Sequence, residues 1–424
     1  MKNIIVIPKK RRNILIYFVF VFFIIPTIHV SGLSSVIGKF IPNPLGYNLL
    51  AFILSLPLLR VFNNKFGCLK GLVFSLKLLI IYLLYTFLHT VVETSFFDAL
   101  TVFRHSYMQA VNLFILLPFI FSLRKDEVNY TLNCIFKCLI VFTVLYISNN
   151  LGFDWMGVKG ELIENVGGVS ADRSIIGMPL FDPIWTALLF VYTMMKVPKT
   201  NKYLMLVLFA IVISFTRNLF FSTIIVAMVV MGLGMMKNPQ NFKRSVKLLL
   251  IIPLGIIIIS FVMPHVIDFW IAKLYNTFSD DLKYDVGTLA FRERLIEDAI
   301  YSIRHNPLFG LGYIRDVAKG EYSMVMGGDT YIAPILWCEG WVGLVLRILP
   351  FIVLGMNAMG NLIKKKKGYW LDIVVIAVIL AASINYIQTK ALTNYPLILG
   401  IIILLKIKDY YDRKAQDFGN YSIL

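Results

Sequence analysis

The chain has 424 residues, 58% of them hydrophobic and 14% aromatic, with a mean hydropathy of +0.76 and a formal charge of +17. A soluble domain of this size has no use for so much apolar surface, so the composition excludes one and implies a chain dissolved in lipid. The positive charge is spread over short links between apolar runs, which is the distribution of an oriented membrane protein and not of a nucleic-acid-binding patch.

Lys9-Lys10-Arg11-Arg12 precede the first apolar run, about 13–30. That run is long and no small-residue cleavage site follows it, so it reads as a retained helix. Further spans follow at about 45–62, 71–90, 105–123 and 131–149, with cations in the links Arg60–Lys70 and Arg124–Lys125. A long outer loop, 150–180, separates the fifth span from the sixth, about 181–197. Spans seven (about 203–215) and eight, which ends at Met236, are joined by a short link containing Arg217. Span nine, about 246–263, opens into a second outer loop, 264–329. Span ten runs from near Tyr331 to Lys364-Lys365-Lys366-Lys367, and spans eleven (about 369–388) and twelve (about 394–407) complete the chain. The expected architecture is an all-α polytopic membrane protein, one membrane domain over 1–424 with about 12 helices and both termini inside.

Charge supports this orientation. Segment 264–330 has seven cations against ten acidic residues, and 150–182 has two against five, so the surplus of Lys and Arg lies in the other links. A nucleic-acid partner is excluded on this ground. Cys68, Cys134, Cys138 and Cys338 fall in or beside spans with no zinc-type pattern, and read as packing residues. Neither an internal repeat nor half-to-half symmetry is visible, which counts against a transporter built from repeats.

Within the second outer loop, Glu293 to Arg304 lacks Gly and Pro and carries Leu295, Ile296, Ala299, Ile300 and Ile303 at helical spacing. The spacing predicts an amphipathic helix over about 291–305, lying along the membrane surface. Asn306-Pro307 ends it, and Gly310-Leu311-Gly312 predicts a tight turn.

Four places carry candidate chemistry: Arg173 and Asp182 in RSIIGMPLFDP; Arg217 in SFTR; Arg292 and Arg294 at the start of the loop helix; and Asp329-Thr330-Tyr331 leading into Glu339-Gly340-Trp341-Val342-Gly343. Guanidinium groups gathered at one membrane face point to an anionic ligand, because they grip phosphate oxygens in pairs and stay charged when partly desolvated. Taken singly, Arg173, Arg292 and Arg294 serve equally well as loop-solvating groups or partners of the surplus acids. Arg217 is harder to dismiss, since an arginine at bilayer depth costs about 2.5–3.5 kcal/mol on insertion scales. His29, His89, His105, His265 and His305 read as packing or interfacial residues.

SFTR, an arginine fifteen residues before Pro307, NPLFGLG, and a polar residue before TYIAPILWCEGWVG together resemble the bacterial O-antigen polymerase and ligase superfamily. RSIIGMPLFDP resembles that family's arginine-, glycine- and proline-containing segment before a span. The resemblance is specific over about 170–185, 214–222 and 291–343. It implies a glycosyltransferase of the bacterial inner membrane, with the two outer loops periplasmic and the donor glycan carried on undecaprenyl pyrophosphate. Arg217 and Arg292 then match the family's catalytic arginines. Asp329 stands where ligases have a histidine, which is more like the polymerase branch. A possible chain-length regulator and a flippase are the partner proteins implied, beside membrane lipid and the lipid-linked glycan itself; no cofactor or metal is implied.

On that resemblance, Arg217 and Arg292 stabilise the negative charge that grows on the lipid diphosphate as the glycosidic bond breaks. Asp329 or Asp182 receives the proton of the attacking hydroxyl. Arg173, Asp182, Arg294 and Tyr331 bind substrate, and Trp337 and Trp341 either stack on sugars or anchor the interface. The nearest rival is an O-antigen ligase with lipid A–core as acceptor. A polyprenyl-linked sugar flippase is the rival from another class; the candidates for its charged path are Lys77, Lys137 and Arg347.

Overall fold

The computed structural model describes residues 70–93, 125–150, 162–166, 168–173, 200–213, 217–237, 264–278, 289–312, 332–364, 369–383 and 400–408, with isolated positions between them. The expected spans at 13–30, 45–62 and 105–123, and most of those at 181–197 and 246–263, lie outside the described residues, as do Asp182, Asp329 and Tyr331. The described part is almost entirely helical: α1 Lys70–Glu93, α2 Lys125–Asn150, α3 Thr200–Ile213, α4 Arg217–Lys237, α5 Pro264–Phe278, α6 Leu289–Ser302, α7 Ile332–Ile363 and α8 Tyr369–Ser383. A 3-10 turn, Ile303–His305, extends α6, and 400–408 is helical.

Among the described residues two helices, Lys70–Val92 and Ile332–Ile363, are long and apolar enough to cross a membrane. Their faces argue for lipid more strongly than their length does. On α1, Leu72, Leu76, Leu79 and Leu83 point inward at helical spacing, yet Phe74, Ile81, Leu88 and Val92 on the outside are equally apolar. A helix packed on a soluble core would turn a polar face outward. On α7, Ile335, Leu336, Leu344 and Leu354 are buried together with the paired Glu339 and Arg347, while Val345, Ile352, Met356 and Ile363 are exposed, so its outer face is apolar as well, as on a helix that meets lipid.

α7 is the centre of the packing. It lies against α1 and α8, and α6 crosses its first part; α4 packs on α8, α3 meets both α4 and α2. α6 turns Leu295, Ala299 and Ile303 into this core and leaves Arg294, Glu297, Asp298 and Arg304 exposed, so the amphipathic helix expected over 291–305 is present. Thr86 and Thr90, buried on α1, give their hydroxyl protons to the carbonyls of Tyr82 (3.1 Å) and Thr86 (2.7 Å) within their own helix.

Two elements depart from the sequence reading. The segment expected as the first outer loop contains a two-stranded antiparallel hairpin, β1 Leu162–Val166 and β2 Val169–Arg173, beside an otherwise helical fold. Gly168, just before β2, stands at φ 79°, the left-handed region that a tight hairpin turn requires. In the segment expected as the second outer loop, the described residues include α5, which the sequence reading did not expect, ahead of α6. α5 packs on the hairpin through one side. Through Trp270, whose indole N–H donates to the carbonyl of Val212 (2.9 Å) and whose ring lies 4.9 Å from that of Phe220, it also meets the α3–α4 junction.

Candidate functional site

The most specific geometry in the described residues is built from NPLFGLG and CEGWVG. α7 is interrupted at Gly340, which stands at φ 62°, ψ −166°, a conformation closed to residues with a side chain. The interruption frees backbone groups that a continuous helix would pair internally. The turn after α6 takes them: Leu311 and Gly312 donate to the carbonyls of Trp337 (2.7 Å) and Cys338 (3.0 Å). In return Trp341 and Val342 donate to the carbonyls of Pro307 (3.0 Å) and Leu308 (3.1 Å). The Tyr82 hydroxyl, from α1, donates to the remaining carbonyl at the break, that of Glu339 (2.5 Å). Interrupted helical backbone inside a packed apolar core is tolerated only where protein or water satisfies it, and here protein does so.

The turn is shaped to fit. The Gly310 N–H donates to the carbonyl of Asn306 (3.0 Å), and the Asn306 side-chain amide donates back to the carbonyl of Gly310 (3.0 Å). Gly310 and Gly312 both have positive φ, 70° and 83°. A Cβ at Gly312 would approach Thr90 Oγ1 at 2.9 Å and His89 Nδ1 at 3.2 Å, so the end of the turn lies directly on α1. Phe309 rests against Tyr85, ring centroids 5.4 Å apart.

Charge enters through Glu339 and Arg347. Arg347 Nε donates to Glu339 Oε2 (2.7 Å) and its terminal nitrogen to Oε1 (2.5 Å), a two-pronged pair between side chains only 1% and 2% exposed. Both carboxylate oxygens face the guanidinium, so Glu339 is not placed to act as a base. Arg347 is likewise committed, and Lys77 and Lys137 lie on exposed faces, so these three do not form a charged path.

The residues singled out by sequence separate into two groups. Arg292 and Arg294 are both on α6, Arg294 exposed, and α6 is fastened to α7 by the turn. Arg217 is the first residue of α4, and Arg173 ends β2, paired in register with Leu162. α5 touches both the hairpin and the α3–α4 junction, which brings the elements of Arg173 and Arg217 to one neighbour. Trp337 is enclosed in the core and out of reach of a sugar; Trp341 is exposed. Sequence reasoning missed Tyr82 and the Glu339–Arg347 pair. The signal was present as two charges eight residues apart on one apolar span, each costly there without the other.

No family model, no curated protein and no solved structure matches the chain.

Proposed function

We propose that the chain is a multi-pass glycosyltransferase of the bacterial inner membrane that polymerises undecaprenyl-pyrophosphate-linked repeat units into a surface polysaccharide at the periplasmic face. The observation that carries this reading is the attachment of α6: a helix bearing Arg292 and Arg294 is hydrogen-bonded through its C-terminal turn to the broken part of an apolar span. Two guanidinium groups on a helix fastened so closely to an apolar span are suited to an anionic group that itself resides at the membrane interface, and a lipid diphosphate is such a group. Arg217 opens α4, which reaches α7 through α8, and completes the clamp.

In this mechanism the lipid diphosphate leaves with both bonding electrons as the anomeric carbon is attacked by a hydroxyl of the acceptor repeat unit. Arg217 and Arg292 offset the charge that develops on the leaving oxygen, Arg294 and Arg173 hold the donor, and Asp329 takes the hydroxyl proton, with Asp182 and Tyr331 on the sugar.

A break in a membrane helix often supplies free backbone groups to a transported ion. Here the freed groups of Trp337, Cys338, Trp341 and Val342 are bonded to the turn, which favours an enzyme over a transporter. The test is purified protein with lipid-linked repeat unit, with and without added divalent metal. A ladder of polymer in both is expected. Transfer to lipid A–core without a ladder would move the chain to the ligase branch, and movement of the unit across a vesicle without transfer would make it a flippase.

A further inference from the structure

We infer that Glu339 is a positioning residue: by pairing with Arg347 across the break in α7, it holds the break in the shape that receives the 307–312 turn, and so fixes where α6 stands against the span. The consequence for activity rests on the polymerase reading above; the consequence for the backbone does not.

Ion pairs within one helix join residues three or four apart, whereas Glu339 and Arg347 are eight apart, about 12 Å of rise in a continuous helix. Two features close that distance. The helix is interrupted at Gly340, immediately after the glutamate. Gly343 then stands between the two charges, four residues from each, and has no side chain to block them. A Cβ on Gly343 would meet Glu339 Cβ at 2.2 Å, Oε2 at 2.8 Å and Cγ at 3.2 Å, so the whole glutamate side chain crosses this position. The carboxylate therefore lies over the Gly343 backbone, reaching toward Arg347 along a Glu-x3-Gly-x3-Arg column.

Pair and break depend on each other. Straightening α7 through Gly340 would draw the two charges apart and leave both unpaired among buried side chains. It would also return the carbonyls of Trp337 and Cys338 to their own helix and strand the turn's N–H groups. The Tyr82 hydroxyl, donating to the Glu339 carbonyl, secures the same residue from the α1 side. Glu339 thus acts twice at the break, through side chain and through backbone.

The experiment uses full-length protein in lipid nanodiscs and reads amide hydrogen exchange over 307–312 and 337–343, beside polymer ladder formation. The variants are Glu339→Gln, Gly343→Ala and the double Glu339→Gln/Arg347→Gln. In all three the amides of Leu311, Gly312, Trp341 and Val342 are expected to exchange about tenfold faster or more, with α8 unchanged. Turnover is expected to fall about tenfold at saturating lipid-linked unit with little change in KM, since an interaction needed in the transition state is being misplaced. Gly343→Ala is the steric arm: its Cβ would press on Glu339 Cβ as well as on the carboxylate, so it reads the close approach at the break, while Glu339→Gln and the double variant read the charge pair. If Glu339→Gln fails to accumulate, the double variant, which removes both charges together, carries the charge reading.

Unchanged protection in Glu339→Gln or Gly343→Ala overturns the inference. So does a double variant with wild-type protection, since the pair would then only neutralise itself, or an opened turn with undiminished ladder. An opened turn in variants of a protein whose wild type builds no ladder would instead sink the polymerase reading and leave the hold of Glu339 on the turn intact.

Discussion

Gly310 and Gly340 meet backbone to backbone: a Cβ on Gly310 would stand 2.6 Å from the Gly340 nitrogen, and one on Gly340 would stand 2.6 Å from the Gly310 nitrogen. Each glycine is required both for its own left-handed backbone and for the other's approach. Gly310→Ala and Gly340→Ala should each destabilise the protein by about 1–2 kcal/mol from φ alone, and by more once the crowded backbones part. Gly360→Ala, where a Cβ meets nothing within 4 Å, is the control. Thermal unfolding in detergent should separate the first two variants from the third; equal midpoints would mean that the turn does not sit on the break.

A second buried pair closes the other end of α7. Asp372, in the first turn of α8, accepts from the Lys408 ammonium and from the Asn361 amide at 3.3 Å, which ties α7, α8 and the 400–408 helix together. Asp372→Ala leaves the ammonium buried without its counter-charge and should cost about 3–5 kcal/mol. Asp372→Asn combined with Lys408→Met removes both charges and should cost much less. The comparison is made on unfolding midpoints; a double variant as unstable as the single one would show that the pair contributes by more than cancelling charge.

What the sequence made legible follows from how local each feature is. α6 was readable because Leu295, Ala299 and Ile303 repeat at helical spacing, and the turn after it because Asn306-Pro307 and two nearby glycines punctuate the chain. α7 was readable from its apolar length. The hairpin has a local sequence signal in Gly167-Gly168 between two short runs, but such a glycine pair fits any polar loop and does not by itself specify paired strands. α5 was obscured because Asp268, Lys273 and Asn276 interrupt its apolar residues, although Phe269 and Trp270 are buried. The docking of turn on break was beyond reach: Gly340 and Gly343 look alike in CEGWVG, yet one breaks the helix and the other makes room for a carboxylate. Only the tertiary partners, Gly310 for one and Glu339 for the other, tell them apart.

The base is tested at Asp329. If it takes the proton of the attacking hydroxyl, Asp329→Asn should slow ladder formation about 100-fold or more while lipid-linked unit still binds. Wild-type turnover in that variant would remove Asp329 from the mechanism and leave the proton to Asp182 or to water.

The arginines are the sharper test, because they occupy separate elements. Arg217 begins α4 and Arg292 lies on α6, and the two helices reach α7 by different routes, one through α8 and one directly. If both serve a single diphosphate, Arg217→Ala and Arg292→Ala should each lower turnover about 100-fold or more, with membrane insertion and unfolding midpoint unchanged. The double variant should fall by less than the product of the two, since groups that stabilise one developing charge act as a unit. In cells either variant should leave single repeat units at the surface in place of long polymer. Fully multiplicative losses would mean that the two guanidinium groups act on different parts of the substrate, and full-length polymer from both would mean that neither touches it.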